Sequence, residues 1–320
     1  MGLTRVVRTV IALGALALAT AAAPASAETY PDKPIRFIVG FGQGGPTDVA
    51  ARALAEEIGT LLGGKIYVEN RPGASGNIAT QAAASSPADG YTFLIGATPL
   101  AVNETLFPDF PIRFGKNIAA VGAVGATGNV LVAHPSLNVR TVADYVALAR
   151  KQPGAVDYIT LGRGSSSHLA GLEFERLAGV SLTPVPHLGN GEAVQDIVGG
   201  HVKSWFATIP SVVELVKGGQ VVALGVTGPV RSASLPDVPT LSEAGLTGFD
   251  VRLWIGLFAP VGIPAERLRA FSDAFDRAIA RPELQAVFAA QGIEKLKMTQ
   301  PEFTAFVEAD IARWSARLGK

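Results

Sequence analysis

The chain has 320 residues, 48% of them hydrophobic, with 27 basic and 27 acidic side chains and no formal net charge. That composition excludes a disordered polyelectrolyte and argues against nucleic acid as a partner, and the length suits one large domain or, as the first expectation, two modest lobes. The absence of cysteine removes disulfides, thiolate nucleophiles, Cys-type zinc and iron–sulfur clusters.

Arg5 and Arg8 precede an apolar run from Val10 to Ala23, which ends at Ala25-Ser26-Ala27. This is the pattern of a secretory signal peptide over 1–27, because a run of about 14 residues falls short of the ~20 that span a bilayer. Cleavage would leave Glu28 first. Loss of Arg5 and Arg8 takes the basic count from 27 to 25 against 27 acidic, a net charge of −2. An exported, cysteine-free chain fits a bacterial periplasm.

Beyond the leader, short β-type runs alternate with helical patterns, the mark of a wound α/β sheet. Ile35–Val39 reads as a buried strand, and Pro46 stands where a helix takes its first residue. Leu54, Ile58, Leu61 and Leu62 keep the helical period until Gly63-Gly64. Strands are predicted at 66–69 and 92–95, with a small-residue helix near 78–84 between them. Thr98-Pro99 reads as a helix entry with Thr98 as cap. Val130–Ala133 is an apolar strand, and Thr141 with Asp144 approximates a capping box. Strands at 158–160, 183–185, 205–206 and 221–226 then alternate with helices at 167–177, near 193–198 and at 211–217. Leu253–Ala259 is a further strand, and helices begin at Pro264, Pro282 and Pro301. Val130–Pro135 and Gly256–Pro260 echo each other as apolar runs halted by proline, and the pair is expected to link the two lobes.

Two glycine-rich turns between strand and helix concentrate the polar chemistry. One is Gly40-Phe41-Gly42-Gln43-Gly44-Gly45-Pro46-Thr47-Asp48, the other Leu161-Gly162-Arg163-Gly164-Ser165-Ser166-Ser167-His168. Glycine lets a guest approach the backbone, and a helix's first turn offers amide hydrogens without intrahelical acceptors, so both turns suit an anion. The plainer role of Thr47 and Ser167 is to cap their helices. Asp48 would repel an anion, so it is expected to turn back and cap.

Other chemistries fare less well. Gly40, Gly42 and Gly45 satisfy G-x-G-x-x-G, with Glu69 ending the next strand, so an exported dinucleotide-dependent enzyme stands as an alternative. Pro46 directly after the third glycine weakens it. No Gly-Lys pair continues into a P-loop, no G-x-S-x-G elbow occurs, and His134, His168, His187 and His201 lack metal-ligand spacing. No catalytic residue, metal or cofactor is therefore expected.

Five segments carry a resemblance: Tyr30–Arg36 with the Gly44–Asp48 turn, Val68-Glu69-Asn70-Arg71-Pro72-Gly73-Ala74-Ser75-Gly76-Asn77, Pro87–Thr92, Gly164–Gly171, and Leu235–Thr240. In order and spacing the chain resembles the tripartite tricarboxylate transporter solute-binding proteins, the Bug-type receptors, from Tyr30 almost to its end. The resemblance implies a two-lobed periplasmic binding fold, type II-like, with two crossing strands between lobes. It implies capture of a small organic carboxylate for membrane transporter subunits, by a monomer with neither enzymatic activity nor nucleic-acid partner. The same fold serving a signalling partner is the nearer alternative. The implied lobes are 28–128 with 254–320, and 129–253. The implied ligand-binding residues are Phe41, Gly42, Gln43 and Thr47 in the first turn and Gly162, Ser165, Ser166, Ser167 and His168 in the second. Thr98, His187, Asn190 and Thr208 would line the remainder. Ala207-Thr208 stands where relatives commonly carry Asp-Asn, which disfavours an amino-acid ligand whose ammonium would need an acid.

Overall fold

The computed structural model describes residues 30–319, so the leader expected over 1–27 lies outside the described residues. Strand β1 (Ile35–Val39) is buried on both faces, which is why it reads as a continuous apolar run. It pairs in parallel with β2 (Ile66–Asn70) and β3 (Thr92–Ala97). Parallel neighbours need crossovers, supplied by helices α1 (Pro46–Leu62) and α2 (Asn77–Ala84). Helix α3 (Pro99–Leu106) follows β3, and strand β9 (Arg252–Pro260) closes this half by pairing antiparallel with both β3 and β4 (Ile118–Ala133).

Strand β4 is the spine of the molecule, with 16 residues. Ile118–Gly128 pairs with β9, whereas the last five residues lie between β7 (Ser204–Thr208) and β8 (Val222–Val226), both antiparallel. β7 continues in parallel to β5 (Asp157–Thr160), and β5 to β6 (Thr183–Pro186). The path is β2-β1-β3-β9-β4-β7-β5-β6, with β8 on the other edge of β4. Helices α4 (Val142–Lys151), α5 (Ser166–Ala178), α6 (Asn190–Gly199) and α7 (Ile209–Lys217) serve this second half.

Each half buries its own aromatic core. In the first, Phe37, Phe93 and Phe271 meet beneath α1 and α8 (Ala265–Ile279), and α9 (Pro282–Ala290) adds Phe288. On the opposite sheet face, Trp254 and Phe258 meet Phe303 of α10 (Gln300–Leu318). In the second half Tyr145, Tyr158, Phe174 and Phe206 form one cluster and Trp205, Ile197 and Val212 the other. Each fully buried aromatic or aliphatic side chain contributes roughly 1.5–3 kcal/mol. Helices α3 and α10 reach both halves: Leu100 and Phe303 lie in the first, Leu106 and Trp314 in the second.

The linking strands differ from expectation. Gly256–Pro260 pairs with Ile118–Ala123 deep in the first half, not with Val130–Pro135. Beside the point where β4 passes from β9 to β7 and β8, Thr227 N donates to Asn129 O (2.8 Å) and Val251 N to Thr227 O (3.0 Å). The first part of β4 escaped notice because it is rich in alanine and glycine, poor strand formers. Its glycines answer to packing: a Cβ on Gly122 would stand 2.2 Å from the Phe275 ring.

Candidate ligand-binding site

The first turn joins β1 to α1. Gly44 adopts φ +80°, and no side chain caps the helix at Gly45. Pro46 occupies the first helical position, so the amide hydrogens of Thr47 and Asp48 have no helical carbonyl to reach. Thr47 is buried, and its hydroxyl has no hydrogen-bond partner among the described residues. Gly42 and Gln43 are exposed, while half-buried Phe41 is fixed through its carbonyl by Asn70 Nδ2 at 3.0 Å. Asp48 turns back as expected, though onto Gly44 N (2.9 Å) rather than onto a helix amide, and it also accepts from Arg52 Nε (3.0 Å) and Asn70 (2.8 Å). Burial raises the pKa of this carboxyl, yet the bonds from Arg52, Gly44 and Asn70 outweigh burial and hold it below the usual value. Its charge is thereby matched by Arg52 of α1.

The second turn joins β5 to α5, with Gly162 (φ +96°) and Gly164 (φ +86°) in left-handed backbone. The three serines divide the work. Ser165 is the cap, contrary to the capping role read for Ser167: its Oγ accepts from His168 N (3.3 Å) and donates to Gly162 O (2.7 Å). Ser167 Oγ accepts from Leu161 N (3.0 Å) and meets Ser165 Oγ at 2.9 Å. Ser166 alone keeps its hydroxyl without a partner among the described residues, although the residue is buried. Its amide and that of Ser167 lie in the uncompensated first turn. His168 Nδ1 accepts from Gly164 N (3.2 Å), which puts the ring proton on Nε2. Burial, aided by the nearby Arg163 charge, pushes its pKa down to about 4, so the ring is neutral near pH 7.

The remaining residues named from sequence are mostly occupied elsewhere. Thr98 does not cap α3 with its side chain; its Oγ1 accepts from Trp254 N (2.9 Å) and donates to Arg252 O (3.0 Å), locking β3 to β9. His187 faces acceptors with both ring nitrogens, Asp196 Oδ2 at 2.8 Å and Val185 O at 3.1 Å, and so fastens α6 to β6. Thr208 Oγ1 pairs with Ser211 Oγ at 2.8 Å. Asn190 stands at the start of α6, which has no side-chain cap, and its Oδ1 is buried without a partner.

The glycine fingerprint finds a mechanical explanation. A Cβ on Gly40 would lie 2.8 Å from the Gly76 Cα, so this glycine is required by the neighbouring loop. Glu69 is engaged by Arg71 (2.6 Å) and Arg36 (3.2 Å). Among the described residues no group of three or more His, Asp or Glu side chains is arranged to hold a metal ion, and no helix is long and apolar enough to cross a membrane.

Sequence reasoning passed over Ser75 and Asn103. Ser75 Oγ donates to Arg163 O of the second turn, and Asn103 Nδ2 donates to Ser75 O at 2.9 Å. The signal was Gly73-Ala74-Ser75-Gly76, a run of small turn-forming residues just ahead of α2.

Residues 50–320 match the model of the tripartite tricarboxylate transporter family receptor. The chain is 35% identical over 302 residues to BugT of Bordetella pertussis, covering 94% of this chain and 93% of that one. Among solved structures, it is similar to an R. palustris protein with adipate, at TM-score 0.84 and 30% identity, covering 91% of this chain and 98% of that one. It is similar also to MatC from Rhodopseudomonas palustris with bound malate, at TM-score 0.83 and 29% identity, covering 90% and all (100%) of the two chains.

Proposed function

Because the chain belongs to the family of tripartite tricarboxylate transporter receptors, we propose that it captures a small organic carboxylate between its two lobes and delivers it to the membrane subunits of a transporter of that type. The observation that carries this reading is the pair of helix entrances at α1 and α5. The amides of Thr47, Asp48, Ser166 and Ser167 lie in the uncompensated first turns, and the hydroxyls of Thr47 and Ser166 have no partner among the described residues. Hydrogen bonds to a charged group contribute about 1.5–3 kcal/mol each. Four or five therefore supply the roughly 8 kcal/mol of micromolar binding after ordering costs, with no basic side chain required.

Two solved relatives hold dicarboxylates, which supports the same class here. Thr208 spends its hydroxyl on Ser211, and the adjacent residue is Ala207, so an amine-free acid is favoured. The protein works as a monomeric binding protein in the periplasm, exported by the leader over 1–27, and its lobes divide into 28–128 with 254–320 and 129–253. Relatives that are periplasmic binding proteins rather than enzymes support a non-catalytic role.

Thermal unfolding of the purified protein against mono-, di- and tricarboxylates, amino acids and NAD(H) tests the reading. A midpoint raised by one carboxylate class is the expected result, since a ligand bound only by the folded state stabilises it by mass action. Stabilisation by NAD(H) with none by carboxylates would overturn it.

A further inference from the structure

The two helix entrances are joined through a third loop. Residues 73–76 are successive left-handed positions: Gly73 (φ +125°), Ala74 (+46°), Ser75 (+53°) and Gly76 (+86°). Residues with a Cβ avoid this conformation and keep it only where the surroundings enforce it. Here Asn103 does so from α3, donating through Nδ2 to Ser75 O (2.9 Å) and to Asn77 Oδ1 (2.8 Å).

Both flanks of this loop meet a glycine of an anion-binding turn. On one side Gly76 lies so close to Gly40 that a Cβ there would come within 2.8 Å of its Cα, and the outer face of Gly76 meets the Phe41 ring. On the other side Ser75 Oγ donates to Arg163 O, and a Cβ on Gly162 would stand 3.8 Å from that Oγ. Asn103 Oδ1 is buried without a hydrogen-bond partner, 3.1 Å from where a Cβ on Gly164 would sit. The first turn belongs to one lobe and the second to the other, so the Ser75 hydroxyl bridges the lobes.

We propose that Ser75, held in left-handed backbone by Asn103, is a positioning residue that registers the two anion-binding turns on one another and favours the closed arrangement of the lobes. It rests on the reading of the cleft as a carboxylate site, but it acts on the angle between lobes and not on the ligand. An opening motion that separates the second turn from the first would break the Ser75–Arg163 bond, while the Asn103–Ser75 bond would travel with the first lobe.

The chain has no cysteine, so Glu56→Cys on α1 and Lys151→Cys at the end of α4, both exposed, give two unique spin-label sites. Distance distributions are measured without ligand and then with adipate and with malate as probes. Ser75→Gly and Ser75→Ala are each expected to lower the ligand-free closed-to-open ratio about fivefold, the size of one hydrogen bond. Ser75→Gly relieves the backbone at a position that glycine accepts, so the loop stays folded and its melting temperature does not fall. Asn103→Ala is expected to shift the ratio the same way while lowering the melting temperature. A parent distribution with no closed component, or Ser75 variants indistinguishable from the parent, would overturn the proposal. If neither probe moves the parent distribution but both Ser75 variants open the lobes, the choice of ligand class fails and the positioning role stands.

Discussion

Gly164 donates its amide hydrogen to Nδ1 of His168 across 3.2 Å, so the second turn spends one of its amides on its own imidazole. The bond requires a neutral ring, and burial keeps it neutral down to about pH 4. An unfolded chain protonates the same histidine near the ordinary value of about 6.5.

A pH dependence follows. Between about 6.5 and 4 the unfolded state binds the proton that the fold refuses, so this residue makes stability rise with pH across that window and fall as acid is added. His168→Asn keeps an acceptor for Gly164 but cannot titrate. Urea denaturation at several pH values should show a flatter profile for the variant over that window; an unchanged slope would mean that His168 is protonated in the fold.

The serines of the second turn separate binding from stability. Ser166→Ala is expected to weaken carboxylate binding by about 1 kcal/mol or more with little change in melting temperature. Ser165→Ala removes the helix cap and is expected to cost about 1 kcal/mol of stability. Calorimetric titration with the carboxylate found by thermal screening, beside melting curves of the same samples, distinguishes the two. Equal affinities for Ser166→Ala and the parent would place the ligand elsewhere.

Thr98 carries structural weight between β3 and β9. Thr98→Ser retains both hydrogen bonds and should leave stability within about 1 kcal/mol of the parent. Thr98→Val leaves the Trp254 amide unpaired in a buried position, a loss of about 1–3 kcal/mol. Denaturant midpoints of the pair decide the matter, and a Val variant as stable as the Ser variant would show the bonds to be dispensable.

Gly40→Ala tests what the first glycine is for. Its new Cβ would meet backbone, the Gly76 Cα at 2.8 Å, which cannot swing aside as a flexible side chain does. A destabilisation of about 1–3 kcal/mol is expected from overpacking. A neutral effect on chemical denaturation would remove the packing explanation for the glycine fingerprint.

Much of the fold was legible because its elements announce themselves locally. Pro46, Pro99 and Pro282 each open a helix at the first position, and Thr141 with Asp144 forms the capping box that its spacing suggests. Ile118–Gly128 was not legible, since alanine and glycine carry no strand signal of their own; Gly122 is needed there by the Phe275 ring of α8, and Gly125 by Ile293 and the Glu294 carbonyl. The two glycine-rich turns could be located between strand and helix from residue type alone. Which of Ser165, Ser166 and Ser167 is left with a free hydroxyl could not, because all three are chemically alike and only the curl of the turn assigns their partners.

The sequence by itself determined that strands and helices alternate, where helices begin, and that two helix entrances are rich in glycine and hydroxyls, since these depend on contacts within a few residues along the chain. Tertiary structure decided that Thr98 and His187 serve neighbouring elements, that Thr227 pairs with Asn129, and that Ser75 lies against Arg163. Ser75 and Arg163 are separated by 88 positions. No local propensity encodes such a meeting; it is set by how β4 and α3 seat one lobe on the other.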